Sequence, residues 1–309
     1  MKPKILIIVD VPGWALDRTA DNVISRLKKY YNFEKIYNKD AKNKIQKGNF
    51  DLLYITYWKQ LQDAGIQIPI PRHSITGVRS HFKWDSGSDL PPSNDDLAYL
   101  NQFAAINVPS LILYNIFNEY NLPIFYTPHG VDHKIFIPHH DKTHSPTGKL
   151  TIGWAGSSTN HPGKRGLVDF IFPSLNELSG ITLKIADRES EWRSQEVMVN
   201  FYQGIDAYIC ASRTEGGPHP LLEASACGIP IITTRVGIAP DLIELNKNGI
   251  IIDRSINAIR NAVILLRDNR DLRIEMGKHA RKIICEKWTW DTQVKFYIPF
   301  FDSALMHLS

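Results

Sequence analysis

Short apolar runs alternate with longer amphipathic stretches along the chain, and this alternation predicts its secondary structure. Residues 5–9 and 51–56 are continuous apolar runs, which are typical of strands buried on both faces of a parallel sheet. Residues 17–30, between them, have apolar positions at helical spacing. Further strand-like runs are residues 74–78, 124–126, 150–154, 182–185, 207–209, 229–233 and 249–252, and further helical stretches are residues 95–106, 219–226 and 255–268.

Strands that alternate with helices indicate right-handed βαβ units and therefore an α/β fold with parallel sheets. The polar residues 138–149 interrupt the alternation and are typical of an interdomain linker. The chain is thus predicted to form two doubly wound, Rossmann-like domains, residues 1–140 and 150–291, joined by a linker at 141–149 and facing each other across a cleft. The carboxyl ends of the strands would border this cleft, which makes it the expected ligand site.

The composition is consistent with the predicted two-domain fold, and the distribution of charge distinguishes the two halves of the chain. Hydrophobic residues make up 43% of the 309 residues and charged residues 22%, which excludes disorder, collagen and coiled coil as the main architecture. The net charge of +4 comes from the first half, because residues 151–309 hold 18 basic and 18 acidic residues. Residues 18–47 alone hold nine basic residues and three acidic ones. Basic and aromatic residues are interleaved there: Arg26, Lys28, Lys29, Tyr30, Tyr31, Phe33, Lys35, Tyr37, Lys39, Lys42, Lys44 and Lys47.

Three interpretations of this basic segment are open. A solvated helix face is the ordinary one. Attachment to an anionic membrane surface is the second, because each basic residue near such a surface contributes about 1 kcal/mol and aromatic rings suit the interface. Nucleic-acid binding is the third, but no recognition motif accompanies the charge, so nucleic acid is not an expected partner.

The cysteines and the hydropathy pattern bear on location. Cys210, Cys227 and Cys285 are odd in number and lack metal-ligand spacing, which favours a reducing compartment and small buried thiols over disulfides. The sequence has no run of about 18 uncharged apolar residues. We therefore expect a cytoplasmic protein, attached at most to the inner face of the plasma membrane.

The stretch 212–230, SRTEGGPHPLLEASACGIP, carries the strongest chemical signal. Glu215, Gly216 and Gly217 precede a predicted short helix with Pro218 in its first turn, at the carboxyl end of a predicted strand. Unpaired N–H groups and the positive end of the helix dipole would make this a site for a phosphate or diphosphate. Glu215 and Glu223 could then accept hydrogen bonds from sugar hydroxyls. The alternative is a loop charge at Glu215 and a solvated helix face at Glu223.

This stretch resembles the E-x7-E signature of retaining glycosyltransferases, in particular family 4, which has the GT-B fold. Three positions depart from the family pattern: Asp241 in place of Glu, His129 in place of Asn, and position 157, which is described below. The match is weak over residues 1–100. The residues that carry it are Glu215, Gly216, Pro218, Leu221, Leu222, Glu223, Ala224, Ala226, Gly228 and Pro230, with Gly153, Trp154, Ala155, Gly156, Lys164, Arg165, Gly166, Val236, Gly237, Pro240, Asn248, Gly249, Trp288, Thr289, Trp290, Pro128, Gly130, Val131 and Asp132.

The resemblance implies a retaining transferase that uses a nucleotide-sugar donor, and it assigns roles to these residues. Glu223 would bind the ribose hydroxyls, and Glu215 would contact hydroxyls of the transferred sugar. Lys164 and Arg165 would neutralise the diphosphate leaving group, whose departure builds negative charge. The other donor-binding residues would be Gly156, Gly216 and Gly217, together with Pro220, Leu221 and Leu222, around which amides would hold the distal phosphate.

One departure concerns the positive charges. The family commonly has Arg directly after the glycine at position 156, where this chain has Ser157. Either Lys164 and Arg165 supply both charges, or diphosphate binding is weaker than in the family; we take Arg165 as the main cation. The chain also lacks the Asp-x-Asp motif that usually holds a divalent metal in the other main nucleotide-sugar fold, GT-A. No metal or other cofactor is therefore expected.

Two residues of the first half are candidates for the same site. Gly13 follows the first predicted strand, where a glycine lets the backbone approach a phosphate; a structural turn is the alternative. His81, chosen over His73, would be the histidine that family enzymes often carry near the transferred sugar, and His129 is the second possibility. A lone histidine is otherwise structural or solvated.

The sequence thus predicts retaining transfer of a sugar from a UDP- or GDP-linked donor to a hydroxyl acceptor, a growing or lipid-linked glycan. As in GT-B relatives, residues 292–309 would pack back on the first domain. One alternative is a non-catalytic sugar-nucleotide-binding subunit of a glycosylation complex, which Ser157 favours and Glu215 and Glu223 disfavour. Another is a dinucleotide-dependent oxidoreductase, but G-x-G-x-x-G does not follow the first strand.

Overall fold

The structure, a computed structural model, describes residues 1–81, 84, 91–140, 144–159 and 163–306. The chain forms two compact units, each built on a parallel β-sheet with helices. Unit 1 comprises Met1–His129 and Trp290–Ser309, and unit 2 comprises Gly130–Thr289. The predicted α/β class with two doubly wound parallel sheets is confirmed.

The described elements follow the order that the alternating pattern predicts, with helices between successive strands. Unit 1 contains β1 (Lys4–Val9), α1 (Ala15–Leu27), β2 (Asn32–Tyr37), α2 (Asn38–Lys47), β3 (Leu52–Ile55), α3 (Gln60–Asp63), β4 (Ser74–Gly77), α4 (Asn94–Leu100), β5 (Ala105–Val108), α5 (Leu111–Asn118) and β6 (Ile124–Tyr126). Unit 2 contains β7 (Leu150–Gly156), a π-helical turn (Leu167–Ile171), α6 (Phe172–Leu175), β8 (Ile181–Asp187), α7 (Gln195–Gln203), β9 (Ala207–Cys210), α8 (His219–Ala226), β10 (Ile231–Thr234), α9 (Ala239–Leu242), β11 (Gly249–Ile252), α10 (Ile256–Asp268) and α11 (Arg270–Lys287). The chain then returns to unit 1 with α12 (Trp290–Gln293), a 3₁₀ turn (Val294–Phe296) and α13 (Tyr297–Met306).

Both sheets have a strand order that reverses direction, as doubly wound folds do. The order is β2-β1-β3-β4-β5-β6 in unit 1 and β11-β10-β9-β7-β8 in unit 2. The strands are parallel throughout, so the loops that follow them collect at the carboxyl edge of each sheet. In unit 2 this edge carries the loops after β7, β8 and β9, where most of the predicted site residues lie.

The burial of β1 on both faces explains why its sequence is apolar at successive positions and does not alternate with polar residues. Ile5 and Ile7 face one side of the sheet and join a core that includes α1 and α13. Leu6 and Ile8 face the other side and pack in a second core. All four side chains are at most 1% exposed. A strand covered on both faces has no solvent side on which polar residues could alternate.

The final helices belong to the core of unit 1. Tyr297, Phe300 and Phe301 are fully buried in the cluster that contains the inner face of β1. The hydroxyl of Tyr31 donates to Asp302 Oδ1 at 2.6 Å, and its ring makes an edge contact with Phe301 at 5.4 Å. Burial of each of these large side chains is worth about 2 kcal/mol, which fastens the returning chain to the first sheet.

Unit 2 begins before the predicted linker. The sequence interpretation assigns residues 130–140 to the first domain, whereas the structure groups them with unit 2. Phe136 is buried in the core of unit 2, and Arg281 donates to the carbonyl oxygens of Phe136 at 2.8 Å and of His133 at 2.9 Å. The polar composition of the linker shows that it is exposed. It does not show which of the two cores the residues before it pack against. Residues 141–143 of the predicted linker lie outside the described residues.

Two strands of unit 1 are missing from the sequence interpretation. Strand β2 is an edge strand with the sequence NFEKIY, in which Ile36 alone is buried, so it shows no apolar run. Residues 95–106 are predicted as one helical stretch, but α4 ends at Leu100 and β5 begins at Ala105. A four-residue apolar run cannot be distinguished from the end of a helix by its periodicity.

The basic segment 18–47 is partly neutralised within unit 1. Lys35 Nζ lies 2.6 Å from Asp17 Oδ1 and 2.5 Å from Asp21 Oδ1. Burial raises the pKa of Asp17, but the bonds from Lys35 and from Gly13 N–H outweigh burial, and the pKa lies below its ordinary value. Lys35 is therefore an internal ion-pair partner. The exposed basic residues of the segment are Lys28, Lys29, Lys39, Lys42 and Lys47.

A close backbone contact holds α11 against the end of α8. A Cβ on Gly277 would lie 2.2 Å from the carbonyl oxygen of Gly228, the residue that follows the C-cap of α8 with φ +73°. Alanine favours a helix over glycine by about 1 kcal/mol, but this overlap with backbone costs more. We expect Gly277→Ala to lower the free energy of unfolding by about 2 kcal/mol in urea denaturation.

The matched control is Lys278→Ala on the same helix, since the Lys278 side chain is 66% exposed. Its unfolding free energy should stay within about 0.5 kcal/mol of the parent chain. A Gly277→Ala chain as stable as the parent would contradict the steric argument.

Candidate functional site

The centre of the site is the loop between β9 and α8. Helix α8 begins at His219, where the predicted helical stretch begins. Pro218 is its N-cap and does not lie in the first turn, whereas Pro220 does. Pro220 has no N–H, and Leu221 N–H donates to the Pro218 carbonyl oxygen at 3.1 Å. The expectation that amides here hold a phosphate is therefore corrected for Pro220, and for Leu221 and Leu222 it stays a prediction. Gly216 and Gly217 lie in the loop directly before the cap.

Bonds from two directions hold this loop in place. The hydroxyl of Thr234, at the end of β10, donates to the Ser212 carbonyl oxygen at 2.5 Å. Arg254 Nε donates to the Ala211 carbonyl oxygen at 2.9 Å. A Cβ on Gly237 would meet the Gly216 carbonyl oxygen at 2.4 Å, so this neighbouring turn needs glycine. The loop is thus positioned by its own sheet and by the turn that follows β10.

The loop after β7 brings the predicted cations to the same place. Gly166 has φ +71°, and a Cβ there would lie 2.4 Å from the Ala211 carbonyl oxygen. Arg213 N–H donates to the Lys164 carbonyl oxygen at 2.7 Å. The Lys-Arg-Gly element therefore lies against the loop after β9, because its glycine permits the close approach. Lys164 Nζ is buried there.

Arg165 and Glu215 form an ion pair in this loop cluster. The Glu215 side chain is 11% exposed, and its Oε1 also accepts a hydrogen bond from the Ser212 hydroxyl at 2.9 Å. Burial lowers the pKa of the Arg165 guanidinium. Within the described part of the chain, Arg165 Nε is buried and has no hydrogen-bond partner. The structure thus brings together two of the predicted site residues. Arg165 retains an N–H group that can donate a hydrogen bond to a phosphate oxygen.

Glu223 is buried on α8 at 6% exposure, which excludes the alternative of a solvated helix face. Its Oε2 accepts a hydrogen bond from the hydroxyl of Tyr202, a fully buried residue of α7, at 2.8 Å. Burial and the negative charge of Glu223 both raise the pKa of Tyr202 well above its usual value, so Tyr202 remains a donor. Sequence reasoning missed Tyr202, which lies 21 positions before Glu223 and carries no motif.

Tyr208 of β9 lies near both Arg165 and Glu223. Its hydroxyl donates to the Ala155 carbonyl oxygen at 3.1 Å, and its ring centre lies 6.1 Å from that of Tyr202. Burial raises its pKa well above the usual value, and the charges of Arg165 and Glu223 act on it in opposite directions. Arg165 and Glu223 are therefore both near this buried phenol.

Strand β7 ends at Gly156, where a Cβ would lie 2.9 Å from the Trp154 ring. The next residue, Ser157, is 5% exposed, and its hydroxyl donates to Glu189 Oε1 at 2.5 Å. The position at which the family commonly has Arg is thus occupied by a neutral side chain that contacts a carboxylate.

The candidates Gly13 and His81 belong to unit 1. Gly13 has φ +77°, and its N–H donates to Asp17 Oδ2 at 2.8 Å, so this amide already has a carboxylate acceptor. The His81 ring packs on Trp84, with 5.1 Å between ring centres, and its Nδ1 is buried. His129, the second possibility, is 4% exposed beside Trp290. The roles assigned to Gly13 and His81 stay predictions.

Two kinds of feature are absent from the described residues. No group of three or more His, Cys, Asp or Glu side chains that could hold a metal ion occurs among them. No helix in the same part of the chain is long and apolar enough to cross a membrane. Cys210 and Cys227 are buried as expected, whereas Cys285 is exposed on α11.

Part of unit 2 is similar to a known protein family. Residues 191–283 match the family model described as "Glycosyl transferases group 1". A stretch of 72 residues, 23% of this chain, is 40% identical to the GDP-mannose-dependent alpha-(1-6)-phosphatidylinositol monomannoside mannosyltransferase of Mycobacterium tuberculosis and spans 19% of it. A stretch of 125 residues, 40% of this chain, is 31% identical to the N-acetyl-alpha-D-glucosaminyl L-malate synthase of Bacillus anthracis and spans 32% of it. The chain thus matches less than half the length of these curated relatives.

Solved structures extend the likeness to the whole fold. Sucrose-phosphate synthase from Thermosynechococcus elongatus matches with a TM-score of 0.74 and 13% identity, over 100% of each chain. Anabaena HepE in complex with UDP and glucose matches with a TM-score of 0.70 and 13% identity, over 97% of this chain and 100% of that one. Residues 191–283 therefore match the glycosyl transferases group 1 family, and the chain as a whole has the GT-B fold.

Proposed function

We propose that the protein transfers a sugar, with retention of its anomeric configuration, from a nucleoside diphosphate donor to a hydroxyl acceptor. The observation that carries this proposal is the ion pair of Arg165 and Glu215 beside the start of α8. A guanidinium suits the phosphates of a sugar diphosphate, and a carboxylate suits the hydroxyls of its sugar. The mannosyltransferase to which a stretch of this chain is similar is named as GDP-mannose-dependent, and HepE is bound to UDP, so the proposal leaves both bases open.

In this mechanism the bond between the anomeric carbon and the diphosphate oxygen breaks, and the acceptor oxygen attacks the same face of the sugar. The acceptor proton passes to the departing phosphate oxygen. Arg165, with Lys164 behind it, stabilises the charge that develops on the diphosphate. Glu215 holds the sugar hydroxyls, and Glu223 holds the ribose, with Gly156, Gly216, Gly217 and Leu222 lining the donor. No step needs a metal.

The acceptor and the location belong to the same proposal. We expect the acceptor to be a growing or lipid-linked glycan, and His81 and Gly13 of unit 1 stay candidates for contacts with a sugar and a phosphate. The exposed lysines of segment 18–47 would then hold the protein at the anionic inner face of the plasma membrane, where a lipid-linked glycan lies.

A panel of UDP-, GDP- and ADP-sugars tests the donor by thermal unfolding. A donor at 100 times its Kd stabilises the folded chain by about 2.7 kcal/mol, which should raise Tm by about 4 °C. Sugars without a nucleotide should leave Tm unchanged. If no member of the panel moves Tm, the proposed donor class is wrong.

The second candidate function is a non-catalytic subunit that binds a sugar nucleotide, and the neutral Ser157 is the observation that favours it. The two candidate functions predict different rates of donor hydrolysis when no acceptor is present. A transferase should release nucleoside diphosphate from the donor that the thermal panel identifies, whereas a binding subunit should release none above the spontaneous rate.

A further inference from the structure

The carboxyl ends of β7 and β8 place two residues side by side. The strands pair in parallel from Leu150 opposite Ile181 to Gly156 opposite Asp187. Ser157 and Arg188 are the next residues of the two strands and leave the sheet together. Arg188 N–H donates to the Gly156 carbonyl oxygen at 2.9 Å, which extends the ladder by one bond. Arg188 is therefore anchored to the glycine that ends β7.

The side chains of the two residues meet at one carboxylate oxygen. The Ser157 hydroxyl donates to Glu189 Oε1 at 2.5 Å, and Arg188 Nη2 lies 3.7 Å from the same oxygen. The guanidinium of Arg188 thus lies next to the hydroxyl of Ser157. The Arg188 side chain is 40% exposed, so a ligand can reach it from solvent.

The charge of Arg188 acts on the site described above. Burial lowers the pKa of Arg165, and the nearby positive charge of Arg188 lowers it further. Arg165 is paired with Glu215, so the two together carry no net charge. A diphosphate with two or more negative charges would gain little from a neutral pair alone. Lys164 adds one positive charge, and Arg188 supplies a second guanidinium near Arg165.

We propose that Arg188 is the second guanidinium that binds the diphosphate of the donor, supplied by the loop after β8 instead of by position 157. This inference rests on the proposed function and adds to it a binding residue on a different strand. When the donor enters, the guanidinium turns from Glu189 to the phosphate oxygens, where it donates two parallel hydrogen bonds.

The alternative role for Arg188 is a surface ion pair with Glu189 that has no part in ligand binding. At 3.7 Å and with both side chains about a third exposed, such a pair contributes about 0–1 kcal/mol. Bidentate bonds to a phosphate are stronger than this, so Glu189 does not prevent the proposed contact. The surface pair alone predicts no effect of Arg188 on nucleotide binding.

Isothermal titration with the nucleoside diphosphate of the donor tests the proposal on the full chain. We expect Arg188→Gln to weaken binding of the diphosphate about tenfold or more, and to leave binding of the corresponding nucleoside, which has no phosphate, unchanged. The matched control is Arg193→Gln, because Arg193 lies in the same loop and pairs with Glu191 at 3.0 Å. Diphosphate affinity in this control should stay within twofold of the parent chain.

The outcomes separate this inference from the proposed function. If Arg188→Gln binds the diphosphate as tightly as the parent chain, the role of Arg188 is wrong while the proposed function stands. If the parent chain binds no nucleoside diphosphate, both are wrong. Adding Ser157→Arg to Arg188→Gln should restore most of the lost affinity; a double variant as weak as Arg188→Gln would show that positions 157 and 188 are not equivalent.

Discussion

Arg165→Gln is expected to lower turnover about 100-fold or more, which corresponds to about 3 kcal/mol of transition-state stabilisation. The diphosphate gains negative charge as the bond to the sugar breaks, and a preorganised guanidinium stabilises that charge more in the transition state than in the bound donor. The affinity for the released nucleoside diphosphate should fall as well. Steady-state kinetics with the donor identified by thermal unfolding, and titration with the diphosphate, give the two readouts.

The same substitution removes the ion-pair partner of Glu215, a side chain that is only 11% exposed. The unfolding free energy should therefore fall by about 1–3 kcal/mol, which urea denaturation measures. Arg165→Lys keeps a positive charge but loses the fork geometry, so its turnover should lie between those of the parent and the Gln variant.

A variant of an arginine outside the site controls for loss of charge alone. Arg267 of α10 pairs with Asp268 at 2.7 Å, so Arg267→Gln should retain parent turnover. Unchanged turnover and diphosphate affinity in Arg165→Gln would exclude Arg165 as the main cation.

The sequence predicted most of the strands that are buried on both faces, with β5 as the exception. The runs at residues 5–9 and 207–209 correspond to β1 and β9. A short continuous apolar run is typical of a strand that is buried on both faces. Edge strand β2 was missed because its one buried side chain, Ile36, leaves no pattern. The predicted helical stretch 95–106 includes the first two residues of β5, because a run of four buried positions fits either period.

The candidate site was predictable only where a linear motif carries it. Glu215 and Glu223 stand in the E-x7-E stretch, and Arg165 stands beside the glycine that its loop requires. Tyr202 and Arg188 were not predictable, since packing places Tyr202 beside Glu223 and strand register places Arg188 beside Gly156. Their partners, Glu223 and Gly156, lie far from them along the chain.

Glu223→Gln should weaken binding of the nucleoside diphosphate about tenfold or more, because a carboxylate accepts hydrogen bonds from the ribose hydroxyls more strongly than an amide. The 2′,3′-dideoxy form of the same nucleotide has no hydroxyls to donate. Its affinity should already be low for the parent chain and should be the same for the Gln variant. Titration of both chains with both nucleotides forms a double-mutant cycle that isolates the contact.

Tyr202→Phe is the matched control for the environment of Glu223. It removes the 2.8 Å bond to Glu223 Oε2 and keeps the ring, whose centre lies 6.1 Å from that of Phe136. We expect a loss of about 1 kcal/mol in unfolding free energy and a ribonucleotide affinity within about threefold of the parent, because the carboxylate that contacts ribose remains. If Glu223→Gln weakened the ribonucleotide and the dideoxynucleotide equally, Glu223 would support α8 through Tyr202 and would not contact ribose.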